Sequence, residues 1–296
     1  MRMLLNTTNA KRGMIIMAVA VSVLATAFSL NLWPFGRKAK AKVNKYKFGS
    51  AVTDLYVDTS SFDVRVLPAE GGVCTVTCYE SDILRHSVDF KSGKLSIVQE
   101  KVTGSYAAVN IRLEIEIRLP AADRASLEIK TTSGDIEVSS GLMFDDVRLT
   151  SYSGDISTET HVRYKLKCGT TAGELYMGNT FPDIVEANTT SGDIKGMGMR
   201  GTEMDLQSVS GDIELTDIIA SESLAIKSTS GDIIFSGCDA SVIYIKSTSG
   251  DIEGSLLSGK TFTAKTTSGS IDVPASSGTQ TCEIRTVSGD IRVFVE

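Results

Sequence analysis

A glycine recurs every 19 or 20 residues along the C-terminal part of this chain. The series is Gly134, Gly154, Gly173, Gly192, Gly211, Gly231, Gly250, Gly269 and Gly289, with gaps of 20, 19, 19, 19, 20, 19, 19 and 20. Most members sit in the tetrapeptide Ser-Gly-Asp-Ile. So short and regular a period leaves no room for helices or long loops between repeats, and it marks a stacked repeat architecture.

Aligning the repeats on the glycine shows what each one contributes. Position −7 holds Leu127, Val147, Leu166, Val185, Met204, Leu224, Ile243, Phe262 and Cys282. Position −5 is apolar in every repeat, position −3 is always Thr or Ser, and position +2 is Ile or Leu throughout. Alternation in steps of two is the signature of a strand with one buried face. Gly-Asp shifts the phase by one residue, so inward positions are expected at −7, −5, −3 and −1, then +2 and +4. That shift reads as a corner, where glycine allows the bend and Asp caps nearby amides. One coil cannot bury its own Leu and Ile, but neighbours spaced about 4.8 Å apart can. The expected fold is all-β: a single-stranded parallel β-solenoid of 19–20-residue coils, stacked in chain order over residues 121–296.

Residues 48–120 read as irregular first coils that cap the array. Thr59-Ser60-Ser61-Phe62-Asp63-Val64 repeats the corner with Phe in the glycine place, and Leu55 and Val57 stand at −7 and −5. Ser92-Gly93-Lys94-Leu95 reads as a second worn corner, and Asn110 to Leu119 alternates cleanly.

The runs TTSGDIEV, STSGDIIF, STSGDIEG and TVSGDIRV resemble those of bacterial membrane-anchored β-strand-repeat proteins labelled putative adhesins, the LiaG-like group. The resemblance covers roughly residues 48–296. It implies a solenoid at the cell envelope and a link to envelope-stress signalling, and it carries over no catalytic residue. Ala172-Gly173-Glu174 and Ser268-Gly269-Ser270 depart from the repeat by changing the corner acid.

Upstream, residues 1–12 form a short tail. Residues 13–36, GMIIMAVAVSVLATAFSLNLWPFG, carry no charge and suffice for a hydrocarbon core of about 30 Å. Lys11 and Arg12 precede this segment and Trp33 stands near its far end, as in a single-pass anchor. Ala25-Thr26-Ala27 offers the competing reading of a cleavable signal. Residues 37–47 are a basic juxtamembrane linker. Their Arg37, Lys38, Lys40, Lys42, Lys45 and Lys47 argue for a cytoplasmic solenoid under the positive-inside rule. The export-like start argues for an extracytoplasmic one, which is the expectation adopted.

Composition bounds the chemistry. Two His and one Trp in 296 residues are poor stock for acid–base or metal sites, and a net charge of −6 argues against nucleic acid. The five Cys, an odd number, read as small core filler. Cys74 and Cys78 are four apart on one strand, about 13 Å and too far to bridge. His86 and His161 have no partner at ligand spacing in the sequence, and no cofactor is implied.

Three surface features remain. Asp135, Asp155, Glu174, Asp193, Asp212, Asp232 and Asp251 form an acidic ladder that Ser270 interrupts and Asp290 resumes. It reads mainly as corner chemistry, with Asp193, Asp212, Asp232 and Asp251 as weak candidates for a cation such as calcium. Carboxylates stacked about 5 Å apart also match the spacing of retaining glycosidases, so a carbohydrate-active solenoid is the alternative function. That spacing recurs in every coil and singles out no site. Lys227, Lys246, Lys265 and Arg285 form an outward basic stripe, the candidate binding face for a cell-wall polymer, glycan or envelope protein. The function expected is a membrane-tethered structural, adhesive or ligand-presenting module without catalysis.

Overall fold

The computed structural model describes residues 40–49, 52–101 and 113–296. The anchor, the tail and the first residues of the basic linker lie outside the described residues. Among the described residues no helix is long and apolar enough to cross a membrane.

Each repeat folds as one coil of two strands joined at the Gly-Asp corner. The strand before the corner is the longer, as in Arg200–Ser208 and Ile219–Lys227. The strand after it is short, as in Ile194–Met197 and Ile213–Thr216. Long strands stack in parallel in one sheet and short strands in a second, with registers that match the repeat alignment: Leu166 on Val185 on Met204 on Leu224, and Ile194 on Ile213 on Ile233. The core lies between the sheets and is built from the −7, −5 and +2 columns, of which Leu206, Ile213 and Ile226 are fully enclosed. Burying a side chain of this size contributes about 1.5–3 kcal/mol, and each coil repeats the contribution.

The corner differs from expectation at position −1. Ser133, Ser153, Ser191 and Ser210 are exposed, and the glycine after each is buried. The reason is contact between coils. A Cβ on Gly211 would lie 1.9 Å from the carbonyl oxygen of Gly192 one coil below, so the backbone itself occupies the interior position.

The stacking order also departs from the chain order at both ends. The last coil, Thr281–Arg285 with Ile291–Val295, does not close the rod. It pairs with the Gly250 coil on one side (Lys246↔Arg285, Ile252↔Ile291) and the Gly269 coil on the other (Lys265↔Arg285, Ile271↔Ile291). The Gly269 coil is therefore terminal in space, and its Ile271 is 45% exposed although every other +2 residue is buried. At the opposite end the Phe62 coil (Asp54–Asp58, Asp63–Pro68) stacks directly on the Gly134 coil, skipping more than fifty intervening residues.

Those intervening residues cap the end. Cys74–Ser81 runs antiparallel to Glu114–Leu119, and His86–Lys91 antiparallel to Lys94–Gln99. Ser92-Gly93 is therefore a hairpin turn and not a worn corner. Both residues have positive φ, 51° and 85°, as a tight two-residue hairpin demands. The expected linker also ends early. Ala41–Phe48 is a strand antiparallel to Cys74–Ser81, with Asn44 and Phe48 buried and Lys45 and Lys47 directed outward.

Candidate functional site

The acidic ladder is a hydrogen-bonded zipper between coils. In most coils the corner amide donates to the corner carboxylate of the coil below: Asp135 N–H to Asp63 Oδ1 at 3.0 Å, Asp155 to Asp135 at 2.9 Å, Asp212 to Asp193 at 2.9 Å, Asp232 to Asp212 at 2.9 Å and Asp251 to Asp232 at 2.8 Å. Asp290 then donates to Asp251 at 2.8 Å, and Ser270 to Asp290 at 2.7 Å. In space, Ser270 ends the ladder instead of interrupting it. Its coil is terminal, and no further corner amide among the described residues needs a carboxylate. These bonds hold the Asp290 carboxyl below its usual range, chiefly through the Ser270 amide. Glu174 departs in another way, because its longer side chain reaches Lys195 Nζ at 3.0 Å.

A second zipper runs beside the first. The Gly211 amide donates to Ser208 Oγ at 2.8 Å, and that hydroxyl donates to the Gly192 carbonyl of the coil below at 3.3 Å. Thr189, Thr170 and Ser151 repeat both bonds. In these four coils the −3 hydroxyl is thus a connector between coils, whereas Ser228 Oγ and Ser247 Oγ are buried without a hydrogen-bond partner among the described residues. For the candidates Asp193, Asp212 and Asp232, and for Asp251, one carboxylate oxygen is committed to a neighbouring amide. A shallow groove of about 490 Å³ does follow this corner, lined by Asp135, Asp155, Glu174 and Tyr176.

The basic stripe lies on the outer face of the long-strand sheet. Its spatial order is Lys227, Lys246, Arg285, Lys265, because the last coil slots into the stack. Lys227 pairs with Asp205 at 3.3 Å and Arg285 with Glu283 at 2.5 Å. Lys246 and Lys265 are exposed and make no ion pair among the described residues. Lys227 and Lys246 also border a groove of about 420 Å³ walled by Thr190, Thr229 and Thr248. Farther along the same sheet the charges are neutralised internally: Glu186 accepts from Lys167 at 2.7 Å and Lys165 at 2.5 Å, which depresses its carboxyl to about 2.

All five cysteines are free and buried. Burial raises the thiols of Cys168 and Cys282 to about 12, so they are inert filler.

The sequence profile of the family described as Toastrack DUF4097 matches residues 52–236 and 187–296. No curated protein matches the chain. Among solved structures, a putative lipid binding protein from Parabacteroides distasonis is 17% identical, with 88% of this chain and 98% of that one aligned at a TM-score of 0.53. A putative adhesin from Bacteroides fragilis is 16% identical, with 86% and 97% aligned at a TM-score of 0.48. The likeness to the first of these is one of fold.

Proposed function

Since the chain belongs to the Toastrack DUF4097 family, we propose that it is a non-catalytic, adhesin-like solenoid that presents a rigid binding face at the cell envelope, tethered by residues 13–36. The observation that carries this reading is the basic stripe. Four cations lie on four spatially consecutive coils, at the strand spacing of about 4.8 Å, and two of them lack a neutralising partner. Like charges directly opposite one another on a sheet are destabilising. An anionic polymer laid along the stripe would offset that cost. The solenoid supplies what such a ligand requires, a straight cationic row whose spacing is fixed by the backbone ladder. The polar, Thr-rich walls beside Lys227 and Lys246 suit a hydrated chain of the wall-polymer or glycan class.

The test is binding of the full chain, kept in detergent, to inorganic polyphosphate and to neutral dextran over a salt series. Selective, salt-sensitive retention of polyphosphate that is lost in Lys246→Glu/Lys265→Glu/Arg285→Glu supports the reading. Equal retention by native and triple variant sinks it. Protease accessibility of the solenoid on intact cells reports the tether and its orientation.

A further inference from the structure

The solenoid interior is filled mainly by apolar side chains, and the N-terminal cap departs from that with a cluster of buried polar groups. Cys78 and Glu80 are inward residues two apart on the strand Cys74–Ser81, and His86 opens the strand His86–Lys91 in the opposite sheet. The turn between these strands brings one donor atom from each residue within 4.8 Å of the others. The side chains of Glu80 and His86 are completely enclosed, and the Phe62 ring packs edge-on against the imidazole at 4.4 Å. Among the described residues, no other three His, Cys, Asp or Glu side chains converge in this way.

The surrounding hydrogen bonds orient the imidazole. The amide N–H of Ser60 donates to Gln99 Oε1 at 2.7 Å, which fixes that atom as an acceptor. Thr59 Oγ1 lies 3.1 Å from the same oxygen and 3.0 Å from His86 Nε2; with its proton on Gln99 Oε1 it accepts from Nε2–H. His86 Nδ1 faces Glu80 Oε1, 3.0 Å away. A bare lone pair there would oppose a carboxylate oxygen in a dry interior, so a positive centre must stand between them, either a proton or a metal ion. Glu80 is itself held in place. Oε1 accepts the His86 amide at 2.6 Å and Oε2 the Asn44 side-chain amide at 2.5 Å. Such outer contacts are what orient metal ligands.

We propose that Cys78 Sγ, Glu80 Oε1 and His86 Nδ1 form a binding site for a divalent transition-metal ion of the zinc class. A thiolate, a carboxylate and an imidazole suit zinc and its neighbours and disfavour calcium or magnesium. Bonds of about 2.0–2.3 Å place tetrahedral ligand atoms roughly 3.3–3.8 Å apart, so the 3.0 Å Nδ1–Oε1 pair would open slightly to admit the ion, and Cys78 Sγ, within 4.8 Å of both, would settle at that spacing. The charges balance, because one dication offsets one thiolate and one carboxylate. Without metal, burial and then the Glu80 charge push the Cys78 thiol far up, so it stays protonated. The ion would bridge the two sheets across the cap and, through Asn44, secure the strand Ala41–Phe48 that leads from the N-terminal segment.

The experiment loads the full chain, stripped by chelator and kept in detergent, with cobalt(II) as an optical stand-in for zinc. One equivalent should bind with thiolate-to-cobalt charge-transfer absorption and be displaced by zinc. Cys78→Ser should abolish that band and Cys282→Ser should leave it intact. Asn44→Ala should weaken binding by about 10- to 100-fold. Nitrogen NMR of the native chain supplies a readout that needs no variant: one equivalent of zinc should shift His86 Nδ1. Absence of cobalt binding, a band that survives Cys78→Ser, or an unmoved Nδ1 resonance each overturns the site and leaves a proton-bridged Glu–His pair.

Discussion

Lys260 Nζ, fully enclosed, donates to the carbonyl oxygen of Ala240 at 2.7 Å. The same ammonium bonds Ser258 Oγ at 2.9 Å, the Asp239 carboxylate and Gln280 Oε1. Asp239 and Ala240 lead into the Gly250 coil, Ser258 into the Gly269 coil and Gln280 into the Gly289 coil. One buried cation therefore ties together the three coils whose order in space differs from their order in the chain. Lys260→Met leaves Asp239 without its partner and should cost about 3–5 kcal/mol. Lys246→Met, at an exposed position, should stay within about 0.5 kcal/mol. Denaturant unfolding of the two variants measures the contrast, and equal midpoints would contradict the pinning role.

The corner carboxylates should matter in proportion to the amide they serve. Asp232→Ala removes the acceptor for Asp251 N–H and should cost about 1 kcal/mol. Asp232→Asn keeps an oxygen at that place and should be milder. Ser270→Asp, at the spatial end of the ladder, has no amide to accept and should be nearly neutral. Thermal melting of the three variants with and without millimolar calcium checks this order. A large calcium-dependent stabilisation of the native chain alone would instead make the ladder a cation site.

Backbone contact at the corner sets a steeper requirement. Gly211→Ala places a methyl against the Gly192 carbonyl, and overpacking of that kind should cost about 3 kcal/mol. Gly71→Ala meets nothing within 4 Å and should be tolerated. In the core, Ile213→Asp buries an unpaired carboxylate and should unfold the array cooperatively, whereas Glu214→Lys on the exposed face should not. Circular dichroism melts separate each pair, and similar shifts within either pair would refute the packing described.

Glu186 gives a pH dependence with a defined sign. Its folded carboxyl is depressed from 4.5 to about 2 by hydrogen bonds to Lys165 and then Lys167. The stabilisation is therefore present above pH 4.5 and is lost as pH falls toward 2. The pair is about a third exposed, so screening should keep the effect below about 1 kcal/mol. Glu186→Gln should flatten that part of the acid limb in stability measured from pH 5 to 2. An unchanged limb would mean that these ion pairs contribute nothing in solution.

The sequence by itself determined the coil. Alternation, corner glycine, −3 hydroxyl and corner Asp are local signals, and each does the work its chemistry implies. The same signals made Phe62 legible as a corner without glycine. They misplaced the −1 serines, because the neighbouring backbone, invisible to a period, fills the interior at that point. They could not fix the order of stacking. Every coil presents the same columns at the same spacing, so hydrogen bonding alone makes any sequence of coils nearly equivalent. Tertiary structure broke that degeneracy through contacts that do not repeat: Lys260 with Gln280, the absent carboxylate at Ser270, and the antiparallel cap strands beyond the Phe62 coil. The meeting of Cys78, Glu80 and His86 was illegible for the same reason. Two of these residues lie in one sheet and the third in the other, and only the turn that closes the cap brings them together.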